Sequence, residues 1–310
     1  MEYYYSFGKY VRKHFDSRVY KLSVNPGFTC PNVDGTLSDK GCIFCNEYGF
    51  SDSVDVVSSV EEQIVEAIKK TKHKKNQAKF IAYFQNGAGT NAPTEVLKKM
   101  YDSLKQFPEI VGISISTRPD CIDENKLELI KTYLADYDVW IEYGVQSSKD
   151  KTLKLINRNH TFSGAVDAIV QTHQKGIKVG VHIVLGLPKE TFRDMVDTAK
   201  KIAKLPVDGV KLHGLHVLEN TYLYEMYKKG KIKLLTREEY IEITCDFLEY
   251  LRQDQIIQRV VSDAREKYLI APVWINDKAN MVNDINRRFK ERGTYQGSRY
   301  TPPHVIARER

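Results

Sequence analysis

Cys30, Cys42 and Cys45 fall within sixteen residues, in the segments Cys30-Pro31-Asn32-Val33-Asp34-Gly35 and Gly41-Cys42-Ile43-Phe44-Cys45. Three clustered thiolates suit a [4Fe–4S] cluster that keeps one iron open. Four cysteines would saturate the cluster, whereas three leave a coordination position for a ligand from outside. The alternative is a structural zinc site completed by a histidine, which the Cys-x2-Cys half permits. The nearest histidines are His14, upstream, and His73, inside a lysine run, and neither stands at a zinc-finger interval. Cys121 and Cys245 stand alone and read as small buried hydrophobes.

Other residues able to do chemistry recur at intervals after the cysteines. They are Tyr83-Phe84-Gln85-Asn86, Ser116-Thr117-Arg118-Pro119-Asp120, Glu142 with Gly144 and Gln146, His182, and Lys211 with His213 and His216. Each taken alone is consistent with a polar core residue whose hydrogen bonds are satisfied. Their positions gain meaning from the elements that carry them.

Short apolar runs at Val19 to Ser23, Phe80 to Phe84, Val111 to Ser116, Val139 to Val145, Val179 to Val184 and Val210 to His213 predict six strands. Between them Val96, Leu97, Met100 and Leu104 recur at helix spacing, as do Phe162, Val166, Ile169 and Val170, then Phe192, Met195, Ala199 and Ile202. Ser58 with Glu61 and Thr236 with Glu239 predict capping boxes. Strand and helix alternating at about thirty residues means parallel strands joined by crossover helices. The fold class is α/β, a partial (β/α)6-type TIM barrel over residues 1–215 with the cysteine loop at 26–50. A C-terminal α/β extension over 216–310 holds helices at 237–252 and 279–292 and a strand at 256–261. Periodicity alone also allows a doubly wound open sheet. In a barrel, the cysteine loop and the polar clusters gather at the carboxyl ends of the strands, where active sites of this architecture lie.

The chain has 310 residues, 42% hydrophobic and 28% charged, which is ordinary for a globular protein. It has no apolar stretch of the ~20 residues that span a bilayer and no signal-like start, so a cytoplasmic, membrane-free protein is expected. The net charge of +7 is modest, but basic residues bunch at 69–75, 228–233 and 287–292. Such runs point to a polyanionic partner, because neutralising phosphates drives non-specific nucleic-acid affinity.

The cysteine loop, the β/α rhythm and the polar strand ends together resemble the radical S-adenosylmethionine (SAM) superfamily. Cys30-Pro31-Asn32-x-Asp34-Gly35-Thr36, Tyr83-Phe84-Gln85, Ser116-x-Arg118-Pro119-Asp120, Gly144-x-Gln146-Ser147, Asn157-Arg158-Asn159-His160 and Gly186-Leu187-Pro188 are similar to a bacterial stand-alone branch. That branch is related to the elongator catalytic subunit, which modifies tRNA wobble uridines. Ala271-Pro272-x-Trp274 and Arg292 to Gly297 extend the similarity almost to the end. Eleven residues separate Cys30 from Cys42, as in the elongator-like branch, where the superfamily commonly has three. Tyr83-Phe84-Gln85 replaces the usual Gly-Gly-Glu segment.

The resemblance implies that Cys30, Cys42 and Cys45 ligate a [4Fe–4S] cluster, with Phe44 shielding it. It also implies that Tyr83, Gln85, Asn86, Arg118, Glu142, Gln146 and Arg158 contact S-adenosyl-L-methionine. Lys211, His213, His216 and His182 remain for the substrate or for proton transfer. The implied partners are tRNA and an external one-electron reductant of the flavodoxin or ferredoxin type. The implied reaction converts 5-carboxymethylaminomethyluridine to 5-aminomethyluridine by hydrogen abstraction. Alternatives are a radical enzyme acting on a small metabolite or peptide, and a non-catalytic, zinc-stabilised RNA-binding protein.

Overall fold

A computed structural model of the chain describes residues 2–45, 58–72, 78–262 and 264–302. The six expected strands are present as β1 (Val19–Val24), β2 (Lys79–Phe84), β3 (Ile110–Thr117), β4 (Asp138–Gln146), β5 (Lys178–Leu185) and β6 (Gly209–Gly214). They pair in parallel and in sequence order, which rules out the doubly wound order with its switch point. Two short strands, β7 (Val217–Leu218) and β9 (Leu269–Ala271), form a separate antiparallel pair. Between them in sequence, β8 (Ile256–Arg259) joins β6 as a seventh parallel strand of the main sheet. The strand expected in an extension beside the barrel thus continues the barrel itself.

Parallel strands need crossovers, and these are supplied by α2 (Val60–Lys72), α3 (Thr94–Asp102), α4 (Glu124–Lys131), α6 (Phe162–Gln174), α7 (Phe192–Ala203) and α9 (Arg237–Glu249). On α9 the Thr236–Glu239 capping box forms as expected. On α2 the reciprocal pair is Ser59 with Glu62, one residue later than expected.

Side-chain alternation then divides the sheet into two faces. On β4, Val139, Ile141, Tyr143 and Val145 join the large apolar core under the helices, while Trp140, Glu142, Gly144 and Gln146 take the other face. That face curls inward, because Lys21 on β1 and Gln258 on β8, from opposite edges of the sheet, both reach Glu142 on central β4. Helix α1 (Phe7–Phe15), which the periodicity did not predict, closes the amino end of the barrel. Its Tyr10 and Val11 pack with Ile81, Trp140 and Ile256. Tyr10 Oη and Trp140 Nε1 each donate to Asp138 Oδ2 at 2.9 Å. Gly209 makes room for the indole, since a Cβ there would lie 2.8 Å from Trp140.

Helix α10 (Lys278–Arg292) packs on α9 and settles the fate of one basic run. Arg287 pairs with Asp284 at 2.7 Å, Arg288 with Glu242 and Glu291, and Arg292 with Glu242, Asp246 and Glu249. Lys70 pairs with Glu66 and Lys228 with Glu225, both at 2.6 Å, and residues 73–75 lie outside the described residues. Arg288 and Arg292 therefore clamp α10 to α9, whereas Arg287 pairs within its own helix. Glu249, fully buried, accepts from Arg292 Nη1 at 3.0 Å and Thr294 Oγ1 at 2.6 Å. Removing one partner of a buried ion pair costs about 3–5 kcal/mol. Arg292→Ala is therefore expected to lower the unfolding free energy by about 3 kcal/mol in urea titration; a change below about 1 kcal/mol, the level of a surface pair, would contradict the clamp.

Candidate functional site

The cysteine loop leaves the carboxyl end of β1 and is tied down by asparagines. Thr29 Oγ1 donates to Asp34 Oδ2 at 2.6 Å, and Val33 N to Cys30 O at 2.8 Å, which fixes a tight turn after the first cysteine. Asn32 is completely buried. Its Nδ2 donates to Asn157 O at 2.7 Å and lies 3.4 Å from Cys42 Sγ, while its Oδ1 accepts from Asn159 Nδ2 at 2.5 Å. Asn157 Nδ2 returns a bond to Gly41 O at 2.6 Å. Asn157 and Asn159 have φ of 55° and 57°, a left-handed conformation that asparagine tolerates better than most residues. The segment after α5 (Asp150–Leu155) thereby holds the loop from inside the barrel mouth.

Two buried cations face the thiols. Arg158 donates from Nη2 to Gly144 O at 2.8 Å and points Nη1 at Cys42 Sγ, 3.7 Å away. Gly144 is required there, because a Cβ would lie 2.5 Å from Arg158 Nη2. Arg118 forms a two-pronged pair with Asp120 at 2.8 and 2.7 Å and donates to Arg158 O at 2.9 Å. Its Nη1 is buried without a hydrogen-bond partner. His160 accepts from Arg158 Nε at 3.0 Å and donates from Nδ1 to Thr161 O at 3.2 Å, which is the neutral form. Burial and the Arg158 charge push its pKa down to about 4. The hydrogen bond from Cys45, aided by Arg158, pulls the Cys42 thiol down, and that same bond with burial pushes Cys45 up.

These groups fit a thiolate-bound iron–sulfur cluster. Its negative charge would complement Arg118 and Arg158 and give the orphaned Arg118 Nη1 a partner. Among the described residues no three His, Cys, Asp or Glu side chains converge closely enough for a single ion. A cube of iron and sulfur spreads its ligands over separate corners and does not need that convergence. Cys121 and Cys245 are buried and their thiols are pushed up to about 12 by desolvation, as inert core residues.

Below the mouth lies a polar layer centred on Glu142, which has no exposed surface. Its Oε1 accepts from Lys21 Nζ at 2.6 Å, Ser114 Oγ at 2.6 Å and Gln258 Nε2 at 3.3 Å. Its Oε2 meets His182 Nε2 at 2.7 Å and Lys211 Nζ at 3.3 Å. Burial alone would raise its pKa, but Lys21, Lys211 and the His182 bond outweigh burial and hold the carboxyl well below its ordinary value. Lys211 also donates to Tyr83 Oη at 2.8 Å. His182 and His213 lie with rings 5.3 Å apart. Burial, with Lys211 adding to it, lowers His182 to about 4, and burial, with His182 adding to it, drives His213 well below its ordinary value. His213 Nε2 is buried without a partner.

The expected residues therefore fall into two groups. Cys30, Cys42, Cys45, Arg118 and Arg158 gather at the mouth, whereas Tyr83, Glu142, His182, Lys211 and His213 form the layer beneath. Gln85 bonds Ser23 Oγ at 2.8 Å, Asn86 and Gln146 adopt positive φ at the ends of β2 and β4, and His216 Nδ1 meets Gly214 O at 3.0 Å. Five side chains meet the two oxygens of Glu142, and Arg158 donates to Gly144 O and faces Cys42 Sγ. Lys21, Asn32, Ser114 and Gln258 were missed. Alternation against Leu22 and Val24 could have found Lys21, since it faces the interior of the same strand.

A sequence profile described as the Radical SAM superfamily matches residues 38–202, and one described as a Radical_SAM C-terminal domain matches 207–291. The uncharacterized protein MJ0486 of Methanocaldococcus jannaschii is 39% identical over 299 residues, covering 95% of this chain and 91% of that protein. The tRNA uridine(34) acetyltransferase of Methanocaldococcus infernus is 33% identical over 136 residues, 43% of this chain and 25% of that protein. The solved structure of Elp3 from Methanocaldococcus infernus superposes with a TM-score of 0.66 at 20% identity, covering 90% of this chain and 64% of that one. This chain thus spans less than two thirds of either of the last two proteins. The structural match establishes the shared fold.

The neutral histidines have a measurable consequence. Between pH 6.5 and about 4 the unfolded chain holds a proton on His182 that the folded chain does not. Stability should therefore be full above pH 6.5 and fall as pH drops through that window, by up to about 1.4 kcal/mol per pH unit for each such histidine. His182→Gln should make the fall shallower in urea unfolding followed across pH. An unchanged slope would mean that His182 titrates normally.

Proposed function

The chain belongs to the radical SAM superfamily, whose enzymes use a [4Fe–4S] cluster and S-adenosyl-L-methionine, and we propose that it modifies the side chain of a tRNA wobble uridine. Cys30, Cys42 and Cys45 would hold the cluster, with Arg118 and Arg158 balancing its charge and Asn32 and Asn157 fixing the loop. When bound, cluster and cofactor supply a carbon-centred radical able to take hydrogen from an unactivated C–H bond. An external one-electron donor is needed to start each cycle.

The observation that carries the substrate reading is the charge of the polar layer beneath the mouth. Lys21 and Lys211 share one carboxylate, Glu142, and Arg259 acts electrostatically on Tyr83, His182 and His213. Two lysines around one carboxylate suit a substrate that brings a second carboxylate. A uridine bearing a 5-carboxymethylaminomethyl group has that carboxylate, beside a carbon flanked by nitrogen where hydrogen loss is favoured. Lys211 and Arg259 would bind the carboxylate, and Glu142 would hold Lys211 and His182 in place. Loss of that hydrogen and of one further electron to an external one-electron acceptor would leave an iminium, which water would hydrolyse to glyoxylate and 5-aminomethyluridine, with the unpartnered Nε2 of His213 taking the amine proton. The relative named as a tRNA uridine(34) acetyltransferase supports tRNA as the carrier of that base.

The test is anaerobic reconstitution with iron, sulfide, dithionite, S-adenosylmethionine and tRNA, followed by analysis of 5′-deoxyadenosine and of the tRNA nucleosides. Loss of the carboxymethylated nucleoside with gain of the aminomethyl one is expected. Unchanged nucleosides alongside vigorous 5′-deoxyadenosine formation would shift the substrate to a small metabolite or peptide. Cys30→Ala, Cys42→Ala and Cys45→Ala should each abolish iron retention and cofactor cleavage, whereas Cys121→Ala and Cys245→Ala should retain both. Full iron content in Cys42→Ala would remove it from the ligand set.

A further inference from the structure

The amino-terminal face of the barrel, opposite the cysteines, carries a cleft of about 680 Å³. It is bounded by residues 3–5, the first turns of α1, the turn at 253–254 and the end of α10. The strands between the two faces are six to nine residues long, so the cleft and the cysteine loop lie roughly 20–30 Å apart at the usual rise per residue. Nothing in the proposed chemistry uses it.

Its walls are aromatic and its rim is basic. Tyr3, Tyr4, Tyr5 and Tyr295 line it. Tyr3 is held by stacking on Phe289, with ring centroids 5.8 Å apart and an interplanar angle of 9°. The backbone is pinned by Gln296, whose N donates to Tyr3 O at 2.9 Å and whose Oε1 accepts from Tyr5 N at 2.8 Å. Tyr295 is 51% exposed, with a ring face open to solvent contact. Lys9 and Lys13 stand one helical turn apart on α1, and Lys290 faces them from α10.

The two acids in the lining are already compensated: Glu2 lies 3.5 Å from Lys9 and 3.6 Å from Arg12, and Asp254 pairs with Arg252 at 3.0 Å. Lys13 and Lys290 have no ion pair among the described residues. This is in contrast to the arginines of 287–292, which sit on the same helix as Lys290 and are all spent on carboxylates. A rigid tyrosine platform with uncompensated lysines on two separate elements is the arrangement that binds a single strand, base on ring and phosphates on ammonium groups.

We propose that this cleft is a second RNA contact, taking an unstacked nucleotide of the same RNA whose target base enters the barrel mouth. A base stacks on the tyrosines, and Lys13 and Lys290 meet the flanking phosphates. The inference rests on the reading of tRNA as substrate. It adds that recognition spans both ends of the barrel, so an RNA too short to reach round it binds weakly.

The experiment measures binding of tRNA and of a short single-stranded oligoribonucleotide across a salt series. It compares the unmodified protein with Lys13→Ala/Lys290→Ala and with Tyr295→Ala, all exposed positions remote from the cysteines. The double variant should lower the slope of log K against log salt by about 1.4–1.8, which is ~0.7–0.9 per phosphate contact. Tyr295→Ala should weaken both RNAs roughly five- to hundredfold, with RNA-independent cofactor cleavage unchanged in every variant. Tight tRNA binding that is indifferent to all three substitutions overturns the second contact and leaves the tRNA reading standing. Failure of the unmodified protein to bind either RNA at low salt overturns both. Displacement of the oligonucleotide by uridine monophosphate at equal concentration would make the cleft a free-nucleotide site and overturn its assignment to RNA.

Discussion

The rest of the site depends on one buried carboxylate. Glu142 sits at the middle of the central strand, wholly out of water, and a charge in that position persists only if fixed partners replace its hydration. Those partners come from five other strands: Lys21 from β1, Ser114 from β3, His182 from β5, Lys211 from β6 and Gln258 from β8. The network therefore requires the sheet to curl. In a flat sheet, β1 and β8 would lie too far from β4 to share its carboxylate. The burial that the network requires also disfavours a charge on His182, and Lys211 beside it adds to that.

Above that layer the buried charges at the centre are cations. Arg118 and Arg158 are buried at the barrel mouth, Asp120 pairs with Arg118, and Cys42 lies against Arg158. Buried guanidinium groups call for anionic company, and the cysteine thiolates, with the cluster they would carry, supply it. The loop bearing the cysteines is rigid for a different reason: buried amide side chains replace the backbone bonds that a regular element would have made. Asn32 and Asn157 each bond main-chain oxygen across the gap between two loops. Position and charge at the mouth are thus set by separate groups of residues, polar-neutral for the scaffold and charged for the chemistry.

Charge on the outer surface obeys another rule. Basic residues in runs, as at 287–292, fall on helix faces with acidic neighbours three and four residues away or on the next helix, and they neutralise one another. The lysines without an ion pair among the described residues include Lys13 on α1 and Lys290, whose place in the 287–292 run does not distinguish it from its paired neighbours. Their neighbours in space are tyrosines from the first few residues and from the end of α10.

The sequence by itself determined the alternation of parallel strands with helices, the position of six strands to within a residue or two at each end, and a cluster of three cysteines in the loop after the first strand. Those features are local: strand alternation, helical period and ligand type repeat along the chain and can be read from it. It also gathered Glu142, His182, Lys211 and Tyr83 toward the carboxyl ends of the strands. Tertiary structure alone decided what they do there, because partner choice depends on distances between strands that are far apart in sequence. The same holds for the seventh strand, for α1 as the plug of the barrel, and for the diversion of Arg288 and Arg292 into ion pairs with α9. Each results from a contact between segments separated by tens to hundreds of residues, and hydrophobic periodicity carries no information about which distant carboxylate or ring a given side chain will meet.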